Sequence, residues 1–203
     1  MTVRQLGVSV RAGSSTAAAG RCDQAESLAN SGPCIDAMDA RAVRTVPSIA
    51  DGEGWVAWRR QARREGFVSG LGVPAIVDDN IAVALNLYSR SSDFSTPQLI
   101  DAAERYARLG ADMLGLNLAR AELDEAAAGY YSQVSDAILT ERAIRAVMQM
   151  NDCPEHTAMH LLESASLRRN VSRRKVAEAI LRALVISDVR LPAAGEEADG
   201  EVP

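Results

Sequence analysis

The spacing of apolar positions changes character near residue 97. Before it, apolar residues come in short alternating or continuous runs separated by turn formers, the pattern of strands and short helices. Residues 3–10 predict a β-strand, residues 12–15 a turn, and residues 16–21 a second strand, followed by a weak helical signal over 23–29. Gly32-Pro33 breaks the chain, and Pro33 suits the first turn of a short helix. A strand carrying Val43 and Val46 ends at Pro47. Residues 55–66 have helical character. The runs over 67–77 and 81–88 are joined by Asp78-Asp79-Asn80 and predict a hairpin. This half reads as an antiparallel sheet with helices, an α+β domain.

From Pro97 onward the apolar residues step by three and four. Leu99, Ala103, Tyr106, Gly110, Met113 and Asn117 follow heptad spacing, which predicts a long helix packed along another, most simply a second copy of the chain. Gly129 is the expected hinge. Val134, Ala137, Ile138, Ile144 and Met148 resume the helical pattern. Ala158, Leu161, Leu162 and Ala165 form one helical face, and Val176, Ile180, Ala183 and Leu184 form another. Asp152 and Glu155, with Pro154 between them, predict a helix start. The expected helices are 132–150, 154–167 and 172–185. Beyond Arg190 the Pro, Ala, Gly and acidic residues predict a disordered tail. The resulting division is an α+β domain over 1–121, a helical linker over 122–131, a three-helix domain over 132–190 and a tail over 191–203.

Composition narrows the classes. Of 203 residues 47% are hydrophobic but only 4% aromatic, so the core must be built mainly from Ala, Val, Leu and Ile. No apolar run approaches the roughly 18 residues of a membrane span, and no signal-peptide core is present at the start, so a cytoplasmic protein is expected. Cys22, Cys34 and Cys153 form no C-x-x-C pair, which fits reduced thiols. His156 and His160 share a helix face at i, i+4, a spacing metals use, but no third ligand with suitable spacing accompanies them. Catalytic and nucleotide-binding motifs are absent. Neither an enzyme, a metal site nor a cofactor is expected.

Charge supplies the positive lead. The chain has a net charge of -5, yet five cations and no anion lie between Arg168 and Lys175. Ser172 is the expected N-cap of the last helix, which puts Arg173, Arg174 and Lys175 in its first turn, where cations oppose the helix dipole. Free N–H groups beside clustered cations make a place for phosphate. Arg168, Arg169, Arg173, Arg174 and Lys175 are the candidate backbone contacts, with Asn170 and Ser172 as candidate partners for bases. A solvated basic surface is the alternative. A second cluster, Arg59, Arg60, Arg63 and Arg64, is diluted by Asp51, Glu53 and Glu65 and reads as a solvated helix face. Two short helices joined by a tight turn also fit a DNA-binding helix-turn-helix, and a ligand-sensing or protein-interaction module without nucleic acid is a third reading.

These residues resemble known families. Residues 139–181 resemble the ANTAR domain, a three-helix RNA-binding module of bacterial antiterminators. The match runs through Ala143, Met148, Ala158, Leu161, Leu162, Ala165-Ser166, Asn170, Arg174 and Val176-Ala177-Glu178. Ile144-Arg145 stands where the family often has Lys-Gly, and Ser172 where it often has a basic residue. Residues 3–120, through Gly32-Pro33-Cys34-Ile35-Asp36-Ala37 and the Leu-Asn-Leu-Tyr ending of 81–88, resemble a GAF sensory domain of the kind attached to ANTAR modules in actinobacteria. GAF domains usually begin with a helix beside the C-terminal one, whereas this sequence starts almost at the first predicted strand, so the expectation is either a truncated start or packing supplied by another chain. The signature of cyclic-nucleotide-binding members is absent, as is evidence of a haem or bilin site. The resemblance implies a homodimeric, signal-responsive regulator that binds paired hairpin loops of nascent RNA and prevents termination, with an unidentified small-molecule ligand in its sensor domain.

Overall fold

A computed structural model of the chain describes residues 1–128 and 135–185. The elements are β1 (Thr2–Gln5), β2 (Val8–Arg11), α1 (Ala17–Ala29), α2 (Pro33–Ala40), β3 (Arg44–Val46), α3 (Val56–Arg64), β4 (Ser69–Ile76), β5 (Ile81–Ser89), α4 (Pro97–Ala128), α5 (Asp136–Asn151), α6 (Glu155–Arg169) and α7 (Arg173–Val185). The strands form one antiparallel sheet in the order β2-β1-β5-β4-β3. The α+β class and the hairpin at residues 78–80 are as expected from sequence. Gly129 and the tail beyond Arg190 lie outside the described residues.

Two early expectations fail. Residues 3–10 are not one strand but fold back at Leu6-Gly7, with φ of 48° and 85°, and Val3 pairs with Val10. Two consecutive positive φ values make the tight reversal whose twist matches paired strands. Leucine is an uncommon residue for that conformation. Its side chain is buried.

The second failure concerns residues 16–21, which are helix from Ala17, not strand. Thr16 is the N-cap, its hydroxyl accepting from the Ala19 N–H at 3.1 Å. The face that α1 buries is Gly20, Cys22, Asp23, Glu26 and Ser27, so its helical period is carried by small and polar residues. Asp23 accepts from Tyr88 Oη at 2.7 Å, from Asn86 Nδ2 at 2.9 Å and from Ser14 Oγ at 2.9 Å. Glu26 Oε1 accepts the Cys34 N–H at 2.7 Å, at the start of α2.

The sheet has two unlike faces. Gly70, Gly72, Ala82, Ala84, Asn86 and Tyr88 alternate toward α1–α3, whereas Leu71, Val73, Ile81, Val83, Leu85 and Leu87 point the other way. Small residues on the first face let backbone approach backbone: a Cβ on Gly72 would lie 3.0 Å from the Pro33 carbonyl group, and one on Gly70 would lie 3.3 Å from Trp58. The second face takes α4 through Ala103, Ala107, Ala111, Leu114 and Leu118.

That packing revises the predicted heptad. Ala103 faces the chain's own sheet and Gly110 lies against Met1. The exposed apolar stripe of α4 is instead Tyr106, Leu109, Met113 and Leu116. A long helix resting on a sheet spends one stripe on it, and the sequence repeat blends that stripe with the free one.

Helices α5–α7 pack around Leu139, Ala143, Val147, Ala158, Leu161, Leu162, Ala165, Val176, Ala177 and Ile180. This core is continuous with Val3, Val8, Val10, Ile81, Val83 and the end of α4, so the bundle is docked on the β1–β2 end of the sheet. Asn151 fixes the junction. Its Nδ2 donates to the Ser9 carbonyl at 3.0 Å and its Oδ1 accepts the Arg11 N–H at 3.3 Å. Ser9 and Arg11 are the outward-pointing residues of an edge strand, so the carboxamide stands where a neighbouring strand's peptide group would. Gln24 Nε2 adds bonds to the carbonyls of Asn151 and Asp152 at 2.8 and 2.9 Å. Asp152 does not start a helix as expected; with φ 47° it closes α5, and Pro154 precedes α6 without a side-chain cap. Residues 132–134 of the expected helix lie outside the described residues; α5 begins after Ser135, whose hydroxyl caps it.

Candidate nucleic-acid interface

The turn between α6 and α7 is fixed at both ends. Asn170, at φ 50°, closes α6, its N–H directed at the Leu167 and Ser166 carbonyls. Ser166 Oγ donates to the Val171 carbonyl at 2.7 Å. Ser172 Oγ accepts the Lys175 N–H at 3.2 Å, confirming the expected N-cap. Asn170 tolerates the left-handed conformation with less strain than most residues. Its backbone role is thus established by geometry.

The five cations fall into three groups. Arg168 and Lys175 are exposed and make no ion pair among the described residues. Arg173 is also exposed and sits 3.5 Å from Glu163, a pair worth little on an open surface. Arg174 is different: it lies between Asp136 at 2.5 Å and Glu178 at 2.7 Å, with its side chain 28% exposed. The hydrogen bond it donates to Asp136 raises its pKa, as does the one it donates to Glu178. It ties the start of α7 to the start of α5. Arg169 turns toward the sheet domain: its Nε lies 3.9 Å from where a Cβ on Gly7 would be, and it lines a small cleft with Arg4, Asp39, Asp78 and Asp79.

The outward edge therefore consists chiefly of Arg168, Arg173 and Lys175, with Ser172 and Asn170 between them. Beside it runs a groove of about 620 Å³, lined by α5 and by the starts of α6 and α7. Thr140, Glu141 and Arg145 line it, and sequence spacing gave no sign of them. The available signal was Ile144 and Met148, apolar residues on α5 that are only partly buried.

The rival Arg cluster on α3 also divides. Arg60, Arg63 and Arg64 are exposed, but Arg59 is buried, contrary to the expected solvated face. Its Nη1 lies 3.1, 2.9 and 2.7 Å from the carbonyls of Ser48, Ile49 and Asp51. The loop before α3 needs a multiple donor for its inward carbonyls, and Arg59 supplies it.

Other chemistry is sparse. His156 and His160 are both exposed on α6, and no group of three or more potential metal-binding side chains occurs among the described residues. The three cysteines are free and buried. Among the described residues no helix is long and apolar enough to cross a membrane.

No significant match is found among curated proteins or among solved structures. The family model of the ANTAR domain matches residues 132–181, so the C-terminal bundle is an ANTAR domain, a module of RNA-binding antitermination regulators.

Proposed function

We propose that the chain is a signal-responsive RNA-binding regulator that acts by transcription antitermination in the cytoplasm. The ANTAR bundle would take paired hairpin loops of a nascent transcript, and a GAF-like N-terminal domain would supply the signal. The observation that carries this reading is the ANTAR match over 132–181 together with the exposed edge Arg168, Arg173 and Lys175 at a rigid turn. In this reading Arg169 and Arg174 join the RNA surface only by giving up their present surroundings, and Asn170 and Ser172 offer their polar groups to bases.

Support for a sensor is the docking of the bundle on the sheet through Asn151, Gln24 and a shared apolar core, which gives a change in the sheet a direct path to the bundle. The space between sheet and α2 is bounded by Glu26, Cys34, Trp58, Asn86 and Tyr88 and has no room for a water molecule. A small-molecule ligand would therefore have to move α2. Support for a homodimer is the stripe on α4, with Tyr106 and Leu116 exposed by 70% and 74%. Four apolar side chains at three- and four-residue steps suit the same helix of a second copy.

A gel shift with the full chain, a paired-hairpin RNA and duplex DNA as competitor tests the reading. RNA is expected to stay bound at equal concentrations of duplex. Displacement by the duplex would favour a helix-turn-helix, and unchanged binding after reversing the charges of Arg168, Arg173 and Lys175 would remove the assigned surface.

A further inference from the structure

The groove beside the basic edge has a composition that phosphate binding does not explain. Its lining residues all belong to the ANTAR bundle, and its volume, about 620 Å³, falls within the range of about 300–1,000 Å³ usual for small-molecule sites. Ile144 and Met148 give it an apolar wall, Thr140 and Glu141 a polar one, and Arg145 and Arg173 flank these. A surface built only to follow a phosphate chain gains nothing from carboxylates. Glu141 is an acceptor of hydrogen bonds, repels phosphate, and matches the amino groups on the edges of adenine, cytosine and guanine. Arg145 Nη2 donates to Glu141 at 2.5 Å across an exposed i, i+4 pair.

The rest of the bundle points the same way. Sequence is read in RNA mostly from unpaired bases, splayed out and stacked on a flat or apolar surface. Residues 135–185 contain no Phe, Tyr or Trp; the aromatic rings there are the exposed imidazoles of His156 and His160 on α6, and neither lines the groove. Within the groove it is the apolar wall that can cover a base, and a methionine thioether is a favourable neighbour for an aromatic ring.

We infer that this groove takes one unpaired nucleobase of the bound RNA. The base lies against Ile144 and Met148 and directs an amino group to Glu141, with Arg173 on the adjoining phosphate. This rests on the RNA-binding reading and adds a specificity to it: amino-bearing bases are accepted and uracil is disfavoured.

The test begins by selecting, with the full chain, RNA from a pool of stem-loops with randomised loops. Each loop nucleotide of the selected RNA is then replaced by an abasic site and by uracil. One loop position is expected at which either replacement weakens binding by about tenfold or more. In Thr140→Trp, which fills the groove, parent and abasic RNA should bind equally, with the salt dependence of the wild type. In Glu141→Gln, a change at an exposed side chain that keeps the fold even should the tryptophan disrupt it, the preference against uracil should shrink. The groove assignment is overturned if no loop position is sensitive, or if Glu141→Gln keeps the full preference against uracil. A folded Thr140→Trp protein that still distinguishes parent from abasic RNA overturns it too, while leaving RNA binding intact. Failure of the wild type to enrich any stem-loop overturns the RNA reading and this inference with it.

Discussion

The two halves of the chain use polar groups in opposite ways. The sheet domain buries them: Asp23, Glu26 and Arg59 lie inside, bonded to Tyr88 and Asn86, to the Cys34 N–H, and to three carbonyls, respectively. The ANTAR bundle has an aliphatic core and holds its cations outside. Among the described residues its one buried polar side chain is Asn151, and that bonds to the sheet. A cluster of charges in sequence therefore says little by itself. Arg59 and Lys175 are both cations in basic helical segments, but one is consumed by carbonyls that would otherwise be orphaned, and the other is free for a partner.

The largest effect expected from this contrast is a pH dependence in the sheet domain. Burial pushes the Glu26 carboxyl up to about 8, against the pull of the Cys34 N–H. The folded state then holds a proton that the unfolded state, with a glutamate pKa near 4.3, has released. Stability falls as pH rises across that window, by at most about 1.4 kcal/mol per pH unit, and levels off above it. Glu26→Gln should lack this slope and gain on the wild type as pH rises from about 4.5 to about 8, in urea titrations at each pH. Parallel profiles for the two proteins would show that Glu26 is not a buried acid.

Next comes Arg59→Ala, which strands the carbonyls of Ser48, Ile49 and Asp51. It should cost about 2–4 kcal/mol by urea unfolding and leave RNA affinity unchanged within about twofold. A loss of affinity without loss of stability would place α3 in the interface instead. Asn151→Leu should cost about 1–3 kcal/mol, because two groups of the β2 edge lose their partner. Amide exchange at Arg11 should speed up with it; a protected Arg11 N–H would show another partner.

The smallest effect on stability belongs to the exposed edge. Arg168→Ala with Lys175→Ala should change stability by less than about 0.5 kcal/mol. The slope of log affinity against log salt should fall by about 0.7 for each lost contact with single-stranded RNA. An unchanged slope would remove both residues from the phosphate contacts.

How far sequence reached follows from which signals are local. The core faces of α6 and α7 were plain, because Ala158, Leu161, Leu162 and Val176 carry a helical period with apolar side chains. The α6–α7 turn was nearly as plain, since Ser172 is a strong cap and its cations are adjacent. The first half of α1 was misread as strand and its second half gave only a weak helical signal, because its buried face is Asp23, Glu26 and small residues, which hydrophobic periodicity scores as exposed. The β1–β2 reversal was missed because Leu6 carries no turn signal. At the site, the separation of Arg174 from Arg173 was beyond sequence: its partner Asp136 is supplied by another helix, and only the packing of α5 on α7 brings them together. The same holds for Arg169, whose acidic surroundings come from the end of α2 and the β4–β5 turn.

Asn151 also gives the arrangement of the halves a directional cost. Lifting the bundle from the sheet would uncover Ser9 and Arg11 as a bare strand edge, a surface that invites pairing with any extended segment nearby. One carboxamide thus acts as a stopper on an otherwise adhesive border, and separation of the halves would change what the sheet can stick to.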